Sequence, residues 1–273
     1  MKITLSDVRA VLTSIKYPKA VISALYGCSI ENNAKKMRQN DILREVSLKD
    51  IIGENYPAVY PYSKPGYGSG ITDLILLNGL AKKIPECQYL EIGTWMGESI
   101  CNVAKFAKNC ISVSLSERQV HQEYGKKHAD LINYFCKKFN YENITLIGAD
   151  SKDFDFNSLN QKFDLIFIDG DHSYLGIVND TRKALDCMRD DRSVIVWHDY
   201  TFGAEKIRHN TLNAILDAVP ADLQKYLYHV EGTMCAVLFI GNIKSKEYEE
   251  FPRKPKMTYE VIIKETVLPE NCD

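Results

Sequence analysis

Gln88-Tyr89-Leu90-Glu91-Ile92-Gly93-Thr94-Trp95-Met96-Gly97-Glu98-Ser99 reads as a short buried strand, a glycine-bearing turn and the start of a helix. Gly93 and Gly97 permit a tight turn and a close backbone approach, and the following helix offers free N–H groups. The spacing is G-x-x-x-G rather than the G-x-G-x-x-G of dinucleotide enzymes, and an acid precedes the first glycine. Pyrophosphate would be poorly served by Glu91 there, whereas a cationic ligand would be well served. Two glycines four apart also fit a plain strand-to-helix turn.

Outward from this stretch the same alternation repeats. Apolar runs at 88–92, 111–115, 144–147, 163–168 and 193–197 predict strands. Helical patterns lie at 71–83, 97–108, 117–138, 174–189 and near 204–218. Continuously apolar strands separated by helices predict a parallel sheet covered on both faces. The runs 225–230 and 233–240 are joined only by Glu231-Gly232, which allows antiparallel pairing alone. The expected fold class is therefore α/β: a doubly wound, Rossmann-like sheet, mostly parallel, with an antiparallel edge hairpin and an N-terminal helical extension. Val8, Val11, Leu12 and Ile15 recur at helical spacing, and Pro18 suits the first turn of a second helix. The Pro-, Gly- and Tyr-rich run 57–70 reads as a linker or lid. The expected organisation is an arm and lid over 1–66, a cofactor domain over 67–241 and an extension over 242–273.

The 273 residues are 45% hydrophobic and 26% charged, a globular balance that excludes disorder and coiled coil. Lys and Arg number 34 against 36 Asp and Glu, for a net charge of −2, without the basic excess of a nucleic-acid binder. Residues 1–38 carry more Lys/Arg than Asp/Glu, which reads as a solvated helix face. No apolar run reaches the ~18 residues of a membrane span, and the opening residues lack a signal-peptide pattern. A cytoplasmic location is expected, with no nucleic acid and no stable membrane insertion. The eight cysteines contain no C-x-x-C pair and mostly sit in apolar runs, so they read as core residues.

Ligands of an open α/β sheet sit beyond the carboxyl ends of the strands, near the switch in strand order. Two such ends read Ile168-Asp169-Gly170-Asp171-His172-Ser173-Tyr174 and Trp197-His198-Asp199-Tyr200. Crowded carboxylates repel, so gathering these groups serves chemistry better than stability. Asp171 and Ser173 also suit helix caps, and His198 also suits a satisfied core position. His121, His128, His209 and His229 read as surface or packing residues. Tyr56, Tyr60, Tyr62 and Tyr67 would suit gripping a sugar or an aromatic ring, or packing a lid.

LEIGTWMGES (90–99) resembles the first motif of class I S-adenosylmethionine-dependent methyltransferases, in the form of catechol-type O-methyltransferases. The resemblance covers about residues 70–240. It implies that Glu91 lies near the methionine amino end of S-adenosylmethionine. Gly93, Thr94 and Gly97 would form the backbone bed, Trp95 would pack beside it, and Ser99 would bond the carboxylate. Ser114 stands where the family places an acid gripping both ribose hydroxyls, with Glu117 available as a substitute from the next turn. Asp150 and Ser151 resemble the adenine-contacting turn.

Asp169 matches a cofactor-proximal acid and, with Asp199, the two carboxylate ligands of a Mg2+ ion in the metal-dependent members. Their Asp-Asn pair is Asp199-Tyr200 here, and His198 or Asp171 would have to complete the shell. IDGDHSY and WHDY resemble a bacterial branch associated with sugar and antibiotic biosynthesis. There His172 or His198 would be the general base, with His198 favoured. The function implied is O-methylation of a small-molecule hydroxyl, on a sugar or secondary metabolite. The partners implied are that acceptor and, as a homo-oligomer, a second copy of the chain. The rivals are a catalytically silent protein of the same fold and, more distantly, a nucleotide-dependent oxidoreductase.

Overall fold

The computed structural model describes residues 29–36, 38, 41–63, 68–203, 206–250 and 252–268. The helices expected before residue 28, and Tyr67 of the tyrosine-rich run, lie outside the described residues. The chain forms two compact units, Met1–Ile42 and Leu43–Asp273. In the first, residues 29–36 are helical. The second carries the sheet.

That sheet has nine strands among the described residues: β1 (Arg44–Val46), β2 (Gln88–Ile92), β3 (Asn109–Ser114), β4 (Ile144–Gly148), β5 (Leu165–Ile168), β6 (Val194–Trp197), and the three that follow a small separate hairpin, β7 (Thr201–Phe202) with β8 (Lys206–Ile207). Those three are β9 (Leu227–Val230), β10 (Ala236–Leu238) and β11 (Ser245–Lys246). Their spatial order is β11-β1-β9-β10-β6-β5-β2-β3-β4. Strands β4, β3, β2, β5 and β6 run parallel, and β10 pairs antiparallel with both β6 and β9. The chain winds one way from β2 through β3 to β4 and the other way through β5 to β6. The order therefore reverses between β2 and β5, which fixes where a ligand cleft opens.

The core follows from the apolar runs. Leu90, Ile92, Leu165, Phe167, Val194 and Val196 are all buried, because helices cover both faces of the parallel strands. Helix α1 (Leu48–Ile52) is capped by Ser47, whose hydroxyl accepts from the Asp50 N–H. Helix α2 (Ile71–Lys83) spans the expected residues and stops before Pro85. It is followed by α3 (Glu98–Val103).

The single helix expected over 117–138 is three: α4 (Glu117–Tyr124), α5 (Lys126–Ala129) and α6 (Tyr134–Phe139). Gly125 and Asn133 take φ of 88° and 55°, which no helix tolerates. The amides of Asn133 and Phe135 instead bond the carbonyls of Trp95 and Met96. Helices α7 (Tyr174–Cys187) and α8 (His209–Ala218) complete the layer.

The antiparallel pair β9–β10 forms as expected. Beyond it lie two strands the sequence left unassigned, β1 parallel to β9 and β11 antiparallel to β1. Glu45 of β1 is fully buried and ties this edge together. It receives a two-pronged bond from Arg253 at 2.6 and 2.7 Å and faces His229 at 3.2 Å. The six described cysteines outside the N-terminal unit are buried free thiols, as their apolar settings predict.

Candidate active site

The β2 turn is built from hydroxyls around one buried acid. Glu91 is fully buried and accepts from Tyr89 Oη and Thr94 Oγ1, both at 2.6 Å, and from Ser99 Oγ at 2.9 Å. Thr94 spends its only hydroxyl proton on Glu91, so Ser112 Oγ, 2.6 Å away, donates to it. Burial pushes the Glu91 carboxyl up to about 7, against the pull of these three hydroxyls.

Gly93, with φ 91°, sits where a Cβ would lie 2.3 Å from the Asp169 carbonyl oxygen. Only glycine lets β2 and β5 part at that distance. Gly97 is excluded from bearing a side chain by Cys136 Sγ of α6, which a Cβ would approach to 2.5 Å. Glu91, Gly97 and Ser99 thus support the turn from below and do not line the cavity above it.

That cavity, about 1340 Å³, opens at the β2/β5 switch. Gly93, Thr94, Trp95, Ser114, Asp150 and Ser151 line it, and so do Asp169, His172, His198 and Asp199. The structure therefore gathers most of the expected residues on one concave surface. Trp95 packs against His128, with ring centroids 5.7 Å apart, so His128 is both a packing and a lining residue. Asp150 Oδ1 accepts from the Lys152 N–H at 2.9 Å, capping the next turn. Glu117, the expected substitute for a strand-two acid, is ion-paired to Lys137 and does not line the cavity. Neither do Tyr56, Tyr60 and Tyr62. Tyr60 packs on Phe139 at 5.5 Å and lies beneath the Lys105 ammonium at 4.1 Å.

His198 is held on both sides of its ring. Nδ1 lies 3.1 Å from Asp169 and Nε2 3.4 Å from Asp73, with both His198 and Asp73 buried. Desolvation opposes its charge, but the two carboxylates outweigh it and raise its pKa well above the ordinary histidine value. An imidazolium so held already carries both protons and has no lone pair to offer.

His172 is placed differently. Its side chain is half exposed, and Nδ1 lies 3.3 Å from Asp199 Oδ2. Asp199 adopts φ 57°, a left-handed conformation uncommon for a residue with a side chain, and it also receives Arg208 at 3.2 Å.

Asp73 and Arg208 carry no motif. Asp73 sits third in α2, where its carboxylate accepts from the Gly70 N–H at 2.6 Å. From sequence that is a capping signal alone. It also accepts from the Met234 N–H at 2.8 Å, so it joins α2 to the segment entering β10.

A match of known type falls on this region. Residues 90–200 match the family model described as a methyltransferase domain. The matched methyltransferase segment runs from the middle of β2 to Tyr200, and so contains the Gly93 turn and both acidic strand ends. No curated protein matches the chain.

Among solved structures, the chain is similar to an SAH-bound methyltransferase of Podospora anserina, at 17% identity. That match covers 63% of this chain and 80% of the other, with a TM-score of 0.45. An O-methyltransferase of Bacillus cereus in complex with SAH gives 18% identity, 63% and 82% coverage and a TM-score of 0.42. A precorrin-6y C5,15-methyltransferase of Geobacter metallireducens gives 12%, 57%, 72% and 0.43.

Within the matched methyltransferase segment, the expected Mg2+ carboxylates Asp169 and Asp199 come together with His172, which is not among the expected donors. Ligand atoms of Asp169, His172 and Asp199 lie within 4.8 Å of one another. Mg2+ takes an octahedral set of oxygens, and one donor here is an imidazole. Two cations, the His198 imidazolium and the Arg208 guanidinium, already face these carboxylates. Tyr200, at the position of the metal-dependent enzymes' Asn, is buried away from the cavity.

Proposed function

We propose that the chain is an S-adenosylmethionine-dependent O-methyltransferase of a small-molecule hydroxyl, with His172 as general base. The observation that carries this reading is the His172–Asp199 pair. It lines the same cavity as the Gly93 turn, inside the segment that matches the methyltransferase family. The cavity volume exceeds the ~300–1,000 Å³ of a single ligand pocket, leaving room for cofactor and acceptor together.

When bound, S-adenosylmethionine supplies a methyl group already activated on a sulfonium. What the protein must add is alignment and proton removal. Asp73, Asp169 and Asp199 face His198 and Arg208, which leaves one net negative charge beside the methyl-transfer end. That suits the single net positive charge of the cofactor. Asp199, 3.3 Å from His172 Nδ1, would orient the ring and stabilise the imidazolium that forms, with Nε2 accepting the acceptor's hydroxyl proton. Methyl transfer from the bound cofactor to the deprotonated hydroxyl would form the O–CH3 bond as the S–CH3 bond breaks, with the electron pair left on sulfur. Ser114 offers the ribose one weaker hydrogen bond where a carboxylate would offer two.

The test is calorimetric titration of S-adenosylmethionine and S-adenosylhomocysteine, followed by turnover with sugars and phenols. Micromolar binding is expected, and His172→Ala should lose ~10²–10⁴-fold in turnover while keeping that binding. No binding of either molecule to the wild-type protein would overturn the reading in favour of a silent member of the fold, which Ser114 alone supports.

A further inference from the structure

The loop after β4 is held by a lysine that no motif predicts. Asp150, Ser151, Lys152, Asp153 and Phe154 form a single helical turn, in which the amides of Asp153 and Phe154 both bond the Asp150 carbonyl, at 3.1 and 3.0 Å. One turn leaves its last carbonyls without helical partners. Lys183, on α7, reaches them. Its ammonium donates to the carbonyl of Ser151, to that of Lys152 at 2.9 Å and to that of Phe154 at 3.2 Å. A lysine has three donors, and all three are spent on this turn. The Phe156 ring lies 5.5 Å from the same ammonium.

One helical turn back, Asp180 is buried and its Oδ2 lies 3.1 Å from where a Gly170 Cβ would stand, beneath the backbone that follows Asp169. Helix α7 thus holds the turn after β4 through Lys183 and packs against β5. Lys152 of the same turn pairs with Asp171 at 2.7 Å on the cavity rim, and Asp150, Ser151 and Lys152 all line the cavity.

We infer that Lys183 is a positioning residue that fixes the 150–154 turn as the nucleoside wall of the cavity, and so sets the affinity for the adenosine portion of the ligand. The identity of that ligand rests on the methyltransferase reading above; the bracing of the turn does not. A lysine that merely covers the surface would have no reason to direct every proton at one turn's carbonyls.

The experiment uses the full-length protein as wild type, Lys183→Met and Lys183→Arg. Hydrogen–deuterium exchange of the ligand-free protein over residues 150–155 reads the bracing. Calorimetry with S-adenosylhomocysteine and with 5′-methylthioadenosine, which lacks the amino-acid end, reads the consequence. Lys183→Met should exchange at least tenfold faster in that turn and bind both molecules about tenfold more weakly. Lys183→Arg, which keeps donors on a long stem, should recover most of both effects. Unchanged exchange in a folded Lys183→Met protein would overturn the inference whatever the ligand is. So would faster exchange with binding of both molecules within twofold of wild type, or weakened binding of S-adenosylhomocysteine alone. If wild type binds neither molecule, the methyltransferase reading fails, while the exchange comparison still decides whether Lys183 braces the turn.

Discussion

His198 Nδ1 stands 3.1 Å from Asp169 while its Nε2 stands 3.4 Å from Asp73, so one imidazole bridges the β5 end and helix α2. The ring is a buried cation between two anions, and that arrangement makes it a fixed part of the electrostatic field. The half-exposed His172 lies outside that bridge, with Nδ1 3.3 Å from Asp199.

The bridge has a pH signature. His198 binds its proton more tightly folded than unfolded, so the stabilisation is fully present below the unfolded value of ~6.5 and is lost as pH rises through the higher folded value. The excess unfolding free energy of wild type over His198→Gln should therefore be largest near pH 6 and shrink in alkali. Urea unfolding of both proteins at several pH values measures it, and a difference that grows with pH would contradict the charged assignment. Removing one partner of a buried pair typically costs about 3–5 kcal/mol, so Asp73→Ala should be strongly destabilising.

Glu91 should behave in the opposite way to a salt-bridged acid. Its folded pKa of about 7 lies above its ordinary value, so the protein is favoured while the group is protonated and loses stability as pH climbs from the unfolded value toward and past 7. Glu91→Gln keeps the shape and one acceptor oxygen but sheds the charge. It should stabilise by about 1–2 kcal/mol at pH 8 and by less at pH 5, read as the shift in melting temperature.

At the far edge of the sheet, Glu45 is held down at about 2: burial raises it, but the bonds from His229 and Arg253 pull it further down. Its contribution is present above the unfolded carboxylate value and fades as pH falls toward 2. Arg253→Met should cost about 3 kcal/mol or more, because it leaves a buried carboxylate short of its two-pronged partner. Chemical denaturation at neutral pH checks the size, and the same measurement at pH 3 should show a smaller gap.

Chelation supplies a fourth check. With His198 and Arg208 already facing the carboxylates, methyl transfer should proceed undiminished in EDTA and gain less than twofold from added Mg2+. Loss of turnover in EDTA, restored by Mg2+, would return Asp169 and Asp199 to the role of metal ligands.

Period and punctuation made much of this protein legible from its sequence. Apolar strands between helices dictate a parallel sheet, because a strand buried on both faces has no other way to satisfy its side chains. Gly93 announced the switch point, and the acids and histidines after β5 and β6 were bound for one rim once the sheet was parallel.

The tertiary structure decided what each of those groups does. Asp73 lies 125 positions from His198, Arg253 lies 208 from Glu45, and Lys183 meets the 150–154 turn across α7. No local pattern encodes such pairings. They decide which histidine stands between two carboxylates, which acid lies under the turn and not in the cavity, and which strands extend the sheet. Charge state depends on burial and on neighbours brought from elsewhere in the chain, and sequence order specifies neither.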